Sequence, residues 1–259
     1  MQRHVEVPPV ISEWSKALEE TTPNEEAAIQ LSELNIKYCN LRASMSSFHD
    51  FTDQGYVISS ACALDAEFAE WASRHTNAFP FQIVNLNDRS EWVFSDHYHV
   101  YSDVWVATVW NNYRAVRILI NELILVQLSQ LYPFTIETIV DLEDQSFFAD
   151  QMLASSAILS QLSHDVCASV PYFLGCADGG STTDFSAPKM INGNLLLWPL
   201  YVAASTSMAL ADMRIWAIGR LRWISKTMGI RQAGPLAYAL SINQELTDWQ
   251  VGGGCSQSS

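Results

Sequence analysis

Residues Tyr98–Tyr132 read YHVYSDVWVATVWNNYRAVRILINELILVQLSQLY. No Gly or Pro falls between Pro80 and Pro133. Pro133 then supplies a stop, because proline cannot continue a helix. Apolar residues recur at Trp105, Val109, Tyr113, Val116, Ile120 and Leu123 in steps of three and four, with a second file at Val106, Trp110 and Tyr113. That is helix spacing with a wide apolar face. Asp103 sits where a carboxylate caps the N-terminus or favours its dipole. The pattern predicts a helix over about 103–132, roughly 45 Å long at ~1.5 Å per residue, enough to cross a whole domain.

Working outward, helical spacing dominates the rest of the chain. Residues 1–22 read as an extended arm. Pro23-Asn24-Glu25-Glu26 is a helix start, with Asn24 as the cap, and the helix runs to about Met45. Asp50–Gly55 reads as a polar turn. A second helix covers about 57–74, with Ala61, Leu64, Phe68 and Trp71 inward and Asp65, Glu67 and Glu70 outward. Residues 75–97 are irregular and aromatic, and Phe81–Leu86 suits a short strand. After the long helix, acidic residues Asp141, Glu143 and Asp144 open another that Pro171 closes. Residues 174–192 are a Gly/Ser/Thr-rich loop. An apolar helix over 193–207, with a kink expected at Pro199, a helix over 212–228 stopped by Gly229, and a last one over 233–249 follow. Residues 250–259 read as a disordered tail. The fold class is all-α: an irregular bundle of about six to seven helices around the long one, forming a single domain over 23–249.

Composition narrows the function. Lys+Arg number 14 against 28 Asp+Glu, a formal net charge of −14. Phosphate backbones are held by clustered Lys and Arg, so direct binding of nucleic acid is not expected. The five cysteines are scattered, odd in number and without C-x-x-C spacing, which suits buried free thiols in a reducing compartment. Residues 190–211 lack charge, but Asn192, Gly193, Asn194 and Pro199 interrupt them, so a buried helix is expected and not a membrane span. There is no Walker A loop, no G-x-S-x-G and no H-E-x-x-H.

Several stretches carry a family resemblance. They are Leu64-Asp65-Ala66-Glu67-Phe68-Ala69-Glu70-Trp71, Val109-Trp110-Asn111-Asn112-Tyr113-Arg114-Ala115-Val116-Arg117-Ile118, Asp165–Gly175 (DVCASVPYFLG), Leu196–Ala203 (LLWPLYVA) and Met228–Ala233 (MGIRQA). In this order they resemble the C-terminal half of the fungal-specific transcription factor domain, the effector region of zinc-cluster regulators, over roughly residues 24–242. The six-cysteine, two-zinc DNA-binding cluster of that family has no counterpart here. The resemblance implies an α-helical, ligand-responsive fold. It fits a regulator fragment, or a stand-alone effector domain of fungal secondary metabolism in the nucleus or cytoplasm.

Three groups of residues are candidates for chemistry. In the first, Trp110 and Arg114 lie four apart, so the guanidinium can cover the indole, and Asn111 and Arg114 share a face. Trp110, Asn111, Tyr113, Arg114 and Arg117 then form either a patch for a carbonyl or carboxylate ligand, with Arg114 as anion partner, or a hub that clamps the helix to its neighbours. The second group is His97 and His99, on one side of an extended segment near Tyr101 and Asp103. They are acid–base candidates or plain surface and capping residues. The third, His164, Asp165 and Cys167, are sequence neighbours on a helix that do not face one another, which favours a buried thiol and a paired Asp. Arg214, Arg220, Arg222 and Arg231 read as bridges to the surplus of acids.

Two functions fit. One is a regulatory or binding module that takes a small-molecule metabolite, a second copy of itself or a protein partner. The other is a cofactor-independent enzyme of secondary-metabolite biosynthesis, a cyclase, isomerase or lyase using His97, His99, Asp103, Tyr113 and Arg114. Neither calls for a metal or a cofactor.

Overall fold

The computed structural model describes residues 7–8, 21–45, 51–88, 90–131, 142–176 and 190–242. Among them are seven helices and one small hairpin. Helix α1 is Pro23–Ser44, α2 is Phe51–His75, β1 is Phe81–Asn85, β2 is His97–Tyr101, and α3 is Val104–Leu131. Helix α4 is Leu142–Leu174, α5 is Met190–Ser205, α6 is Ala211–Thr227, and α7 is Ala233–Ser241. The architecture is the expected all-α bundle. Most of the arm over 1–22, the end of the last predicted helix and the tail over 250–259 lie outside the described residues. Within the arm, Val7 N–H donates to Asn40 Oδ1 at 3.0 Å.

Helix α3 is the axle. It packs against α1, α2, α4, α5 and β2. Eighteen of its side chains are buried, from Val106 to Leu128, so it is enclosed nearly all round. Its start is fixed as its sequence suggests: Asp103 Oδ1 accepts from Val106 N–H at 2.9 Å. Helix α2 joins its inward file Ala61, Leu64, Phe68 and Trp71 to α3, and Trp71 Nε1–H reaches Ala27 O of α1 at 2.8 Å. One hydrophobic cluster runs from Ala27 in α1 to Leu240 in α7.

Four boundaries differ from expectation. Thr22, and not Asn24, caps α1. Its hydroxyl accepts from Glu25 N–H and the Glu25 carboxylate accepts from Thr22 N–H at 2.8 Å, a reciprocal capping box with Pro23 in the first turn. Helix α2 begins at Phe51, so the polar stretch expected as a turn is partly helical. Pro171 does not close α4. The helix runs three residues further, where Phe173 and Leu174 are fully buried, and that burial outweighs the lost N–H donor. Helix α5 starts at Met190, within the stretch read as loop.

Residues 81–101 hold an antiparallel hairpin, with Phe81 opposite Tyr101 and Asn85 opposite His97. The expected strand over 81–86 is present, and the histidine segment is its partner. Gly229 ends α6 with φ +72°, the left-handed stop expected of it. Gly193 has another role: a Cβ there would stand 2.7 Å from Met228 Sδ, so its bareness lets α5 approach the end of α6.

Candidate functional site

Two polar networks radiate from α3. The first surrounds Arg114, which is 2% exposed. Its Nη1 donates to Tyr101 Oη at 2.7 Å and to Asn111 Oδ1 at 3.1 Å, and its Nη2 donates to His99 Nδ1 at 3.4 Å. Its Nε lies 4.0 Å from Asp165 Oδ2. The guanidinium is also within 5.9 Å of the ring centres of Phe81, Tyr101 and Trp110. Asn111 completes the link to α4, its Nδ2 donating to Ser169 Oγ at 2.9 Å. Trp110 Nε1–H donates to Phe79 O at 2.7 Å. The hairpin, α3 and α4 are thus pinned together through one side chain.

This network fixes the state of His99, which is 1% exposed. An arginine is only a donor, so His99 Nδ1 must accept, and the neutral ring carries its proton on Nε2. Burial, then the Arg114 charge, then His97 lower its pKa from 6.5 to about 3. His97 lies on the same side of β2, its ring centre 5.9 Å away. It is more exposed and donates from Nδ1 to Asp96 Oδ1 at 2.9 Å. Asp103, the remaining acid–base candidate, is occupied as the α3 cap.

The second network centres on Arg117. Its Nε and Nη2 grip Asp65 Oδ1 and Oδ2 at 2.7 and 3.0 Å, and its Nη1 donates to Tyr113 Oη at 2.8 Å. Asn121 Nδ2 adds a bond to Asp65 Oδ1 at 2.6 Å. Burial opposes the charge on Arg117, but Asp65 and Tyr113 outweigh it and its pKa rises. Burial raises the Tyr113 hydroxyl as well. Asp65 was expected to face outward with Glu67 and Glu70. It turns inward, because α2 and α3 run side by side and a forked guanidinium needs a forked acceptor. Glu67 and Glu70 pair with Lys37 and Arg74.

The third candidate group does not assemble. Cys167 is fully buried, and burial raises its thiol. His164 Nδ1–H donates to Ser160 O at 2.8 Å, and Asp165 accepts from Gln161. The later arginines also meet carbonyls and rings, and Glu91 acts on the charge of Arg220. Arg214 donates to Ala204 O and Thr206 O, and Arg220 lies 4.4 Å from the Trp92 ring centre. Among the described residues no three His, Cys, Asp or Glu gather to hold a metal, and no helix is long and apolar enough to cross a membrane.

Sequence reasoning passed over the segment between the strands, residues 86–96. It packs on α6: Trp216 Nε1–H donates to Glu91 O at 3.0 Å, and Trp92 meets Trp223 edge-on at 5.1 Å. Beside this joint is an open cleft of about 540 Å³. The tryptophans on both sides were the available signal, but nothing local pairs residues so far apart in sequence.

The chain is 31% identical over 146 residues to a protein of Emericella nidulans named Transcription factor dbaG, which amounts to 54% of this chain and 31% of that protein. The chain therefore spans about a third of the length of the curated relative it matches. No family model matches it, and no solved structure does.

Proposed function

We propose that this chain is a regulatory module of the transcription-factor type, acting through contact with a protein or a small molecule. The similarity to a named transcription factor over 146 residues carries this reading. The formal net charge of −14 argues that any DNA contact belongs to another chain or segment. A nuclear or cytoplasmic setting, a role in fungal secondary metabolism and a dimeric or partner-bound state belong to the same proposal, on the strength of the family resemblance.

Within it, the Arg114 and Arg117 networks serve as clamps. Both guanidiniums already donate to protein groups, Arg114 to Tyr101, Asn111 and the His99 ring nitrogen and Arg117 to Asp65 and Tyr113, so a ligand at Trp110, Asn111 or Arg114 would have to displace internal bonds. The enzyme reading asks more of these residues. His99 stays neutral and enclosed, and a general acid or base needs access to the proton it moves.

The test joins the full chain to a heterologous DNA-binding module above a reporter gene. Transcription should change relative to the DNA-binding module alone. A reporter that does not move, together with mass-spectrometric conversion of a fungal metabolite by the purified chain, would overturn the regulatory reading in favour of an enzyme.

A further inference from the structure

We propose that the cleft between the β1–β2 connection and α6 binds a small organic cation, an ammonium group carried on an apolar arm. Its walls come from two distant segments. Leu86, Asp88, Phe94 and Asp96 stand on one side, and Asp212 and Trp216 on the other. Three carboxylates thus share one opening with two aromatic rings, and none of the described lining residues is basic. Its volume, about 540 Å³, lies in the range of small-molecule sites, roughly 300–1,000 Å³.

The combination selects the class of ligand. Carboxylates drawn close around a point would suit a metal ion, but no three acids among the described residues are gathered that tightly. Spread around a cleft, they suit a charge carried on a larger body. The rings add the negative faces that attract an ammonium group and the apolar surface that covers its arm. Trp216 already works against a cation in this fold, since Arg220 lies 5.8 Å from its ring centre.

Two of the carboxylates have local bonds, and the one from His97 holds the Asp96 carboxyl below the usual carboxylate range. Asp96 accepts from His97, and Asp212 Oδ1 accepts from Met213 N–H at 2.8 Å. Mutual repulsion among the acids, in a chain of net charge −14, is relieved when a cation enters. The Trp216–Glu91 bond and the Trp92–Trp223 contact hold the two walls before any ligand arrives, so little ordering is required on binding.

This inference goes beyond the regulatory reading and does not depend on it. Calorimetry on the full chain compares phenethylamine with phenethyl alcohol, its neutral counterpart. The amine should bind roughly tenfold more tightly or better. D88N/D96N/D212N should abolish that preference, and F94L should weaken the amine while leaving the frame bonds of Trp216 alone; the Tm of each variant checks that it folds. Arg89 falls in this connection outside the described residues, so R89A is included, and its affinity for the amine should be equal or higher. Equal affinity for amine and alcohol, no binding of the amine, amine binding that survives the triple substitution, or its loss in R89A would each overturn the proposal. So would calcium ions binding more tightly than the amine.

Discussion

Arg114 and His99 share one enclosed space, and the fold depends on both. In the unfolded chain His99 takes up a proton near its ordinary value of 6.5, whereas in the fold it does so only near 3. The unfolded state therefore binds more protons between those limits, and stability falls as the pH drops from about 6.5 towards 3. This one residue contributes at most about 1.4 kcal/mol per pH unit. His99→Gln can still accept from Arg114 but does not titrate. Chemical denaturation across that window should show a shallower acid slope for His99→Gln than for the wild type, and parallel slopes would refute the assignment. Arg114→Ala strands Asn111 Oδ1 and empties a buried site, while Tyr101 Oη keeps its contact with His99 Nδ1 at 3.1 Å, at a loss of about 3 kcal/mol. The partly buried pair Asp65–Arg117, with side chains 13% and 15% exposed, is a direct link between α2 and α3. A double-mutant cycle with Asp65→Asn and Arg117→Gln should give a coupling of about 2 kcal/mol, and a value near zero would mean the pair is decorative.

At the scale of elements, what could be read in advance depended on distance along the chain. Helix α3 was legible because its apolar files repeat from Trp105 to Leu123, about five turns, without Gly or Pro. The Asp103 cap was legible because cap and recipient are three residues apart. The inward turn of Asp65 was not, since its partner lies 52 positions away. The hairpin was only half legible: each strand has five residues, and the HYHVY strand buries both neighbours Tyr98 and His99, so no clean alternation marks it. Pro171 misled because its local rule is sound but the burial of the next residues overrides it. Thr22 was overlooked because Asn24 offered an equally good cap by type, and only the reciprocal reach of Glu25 decides between them. Thr22→Ala should therefore cost about 1 kcal/mol and loosen the first turn of α1, whereas Asn24→Ala should cost much less. Thermal denaturation of the two variants checks the order.

For the whole molecule, the surplus of acidic residues is a standing internal pressure. A formal charge of −14 on 259 residues repels itself most when salt is scarce. Raising the ionic strength from about 0.1 to 1 M shortens the screening length from roughly 10 to 3 Å. The Tm should rise over that range, by about 2–4 °C for each kcal/mol of repulsion removed. A fall would indicate that attractive ion pairs such as Lys37–Glu67 outweigh the repulsion.

Enclosure of α3 on nearly every side also sets a timescale. Its amides have no route to solvent that leaves the rest of the bundle in place, so hydrogen exchange along Val106–Leu128 should proceed only through global unfolding and report the full free energy of the fold. Helices α6 and α7 rest on α5 and on one another, and their amides should exchange sooner, through openings that leave α3 intact.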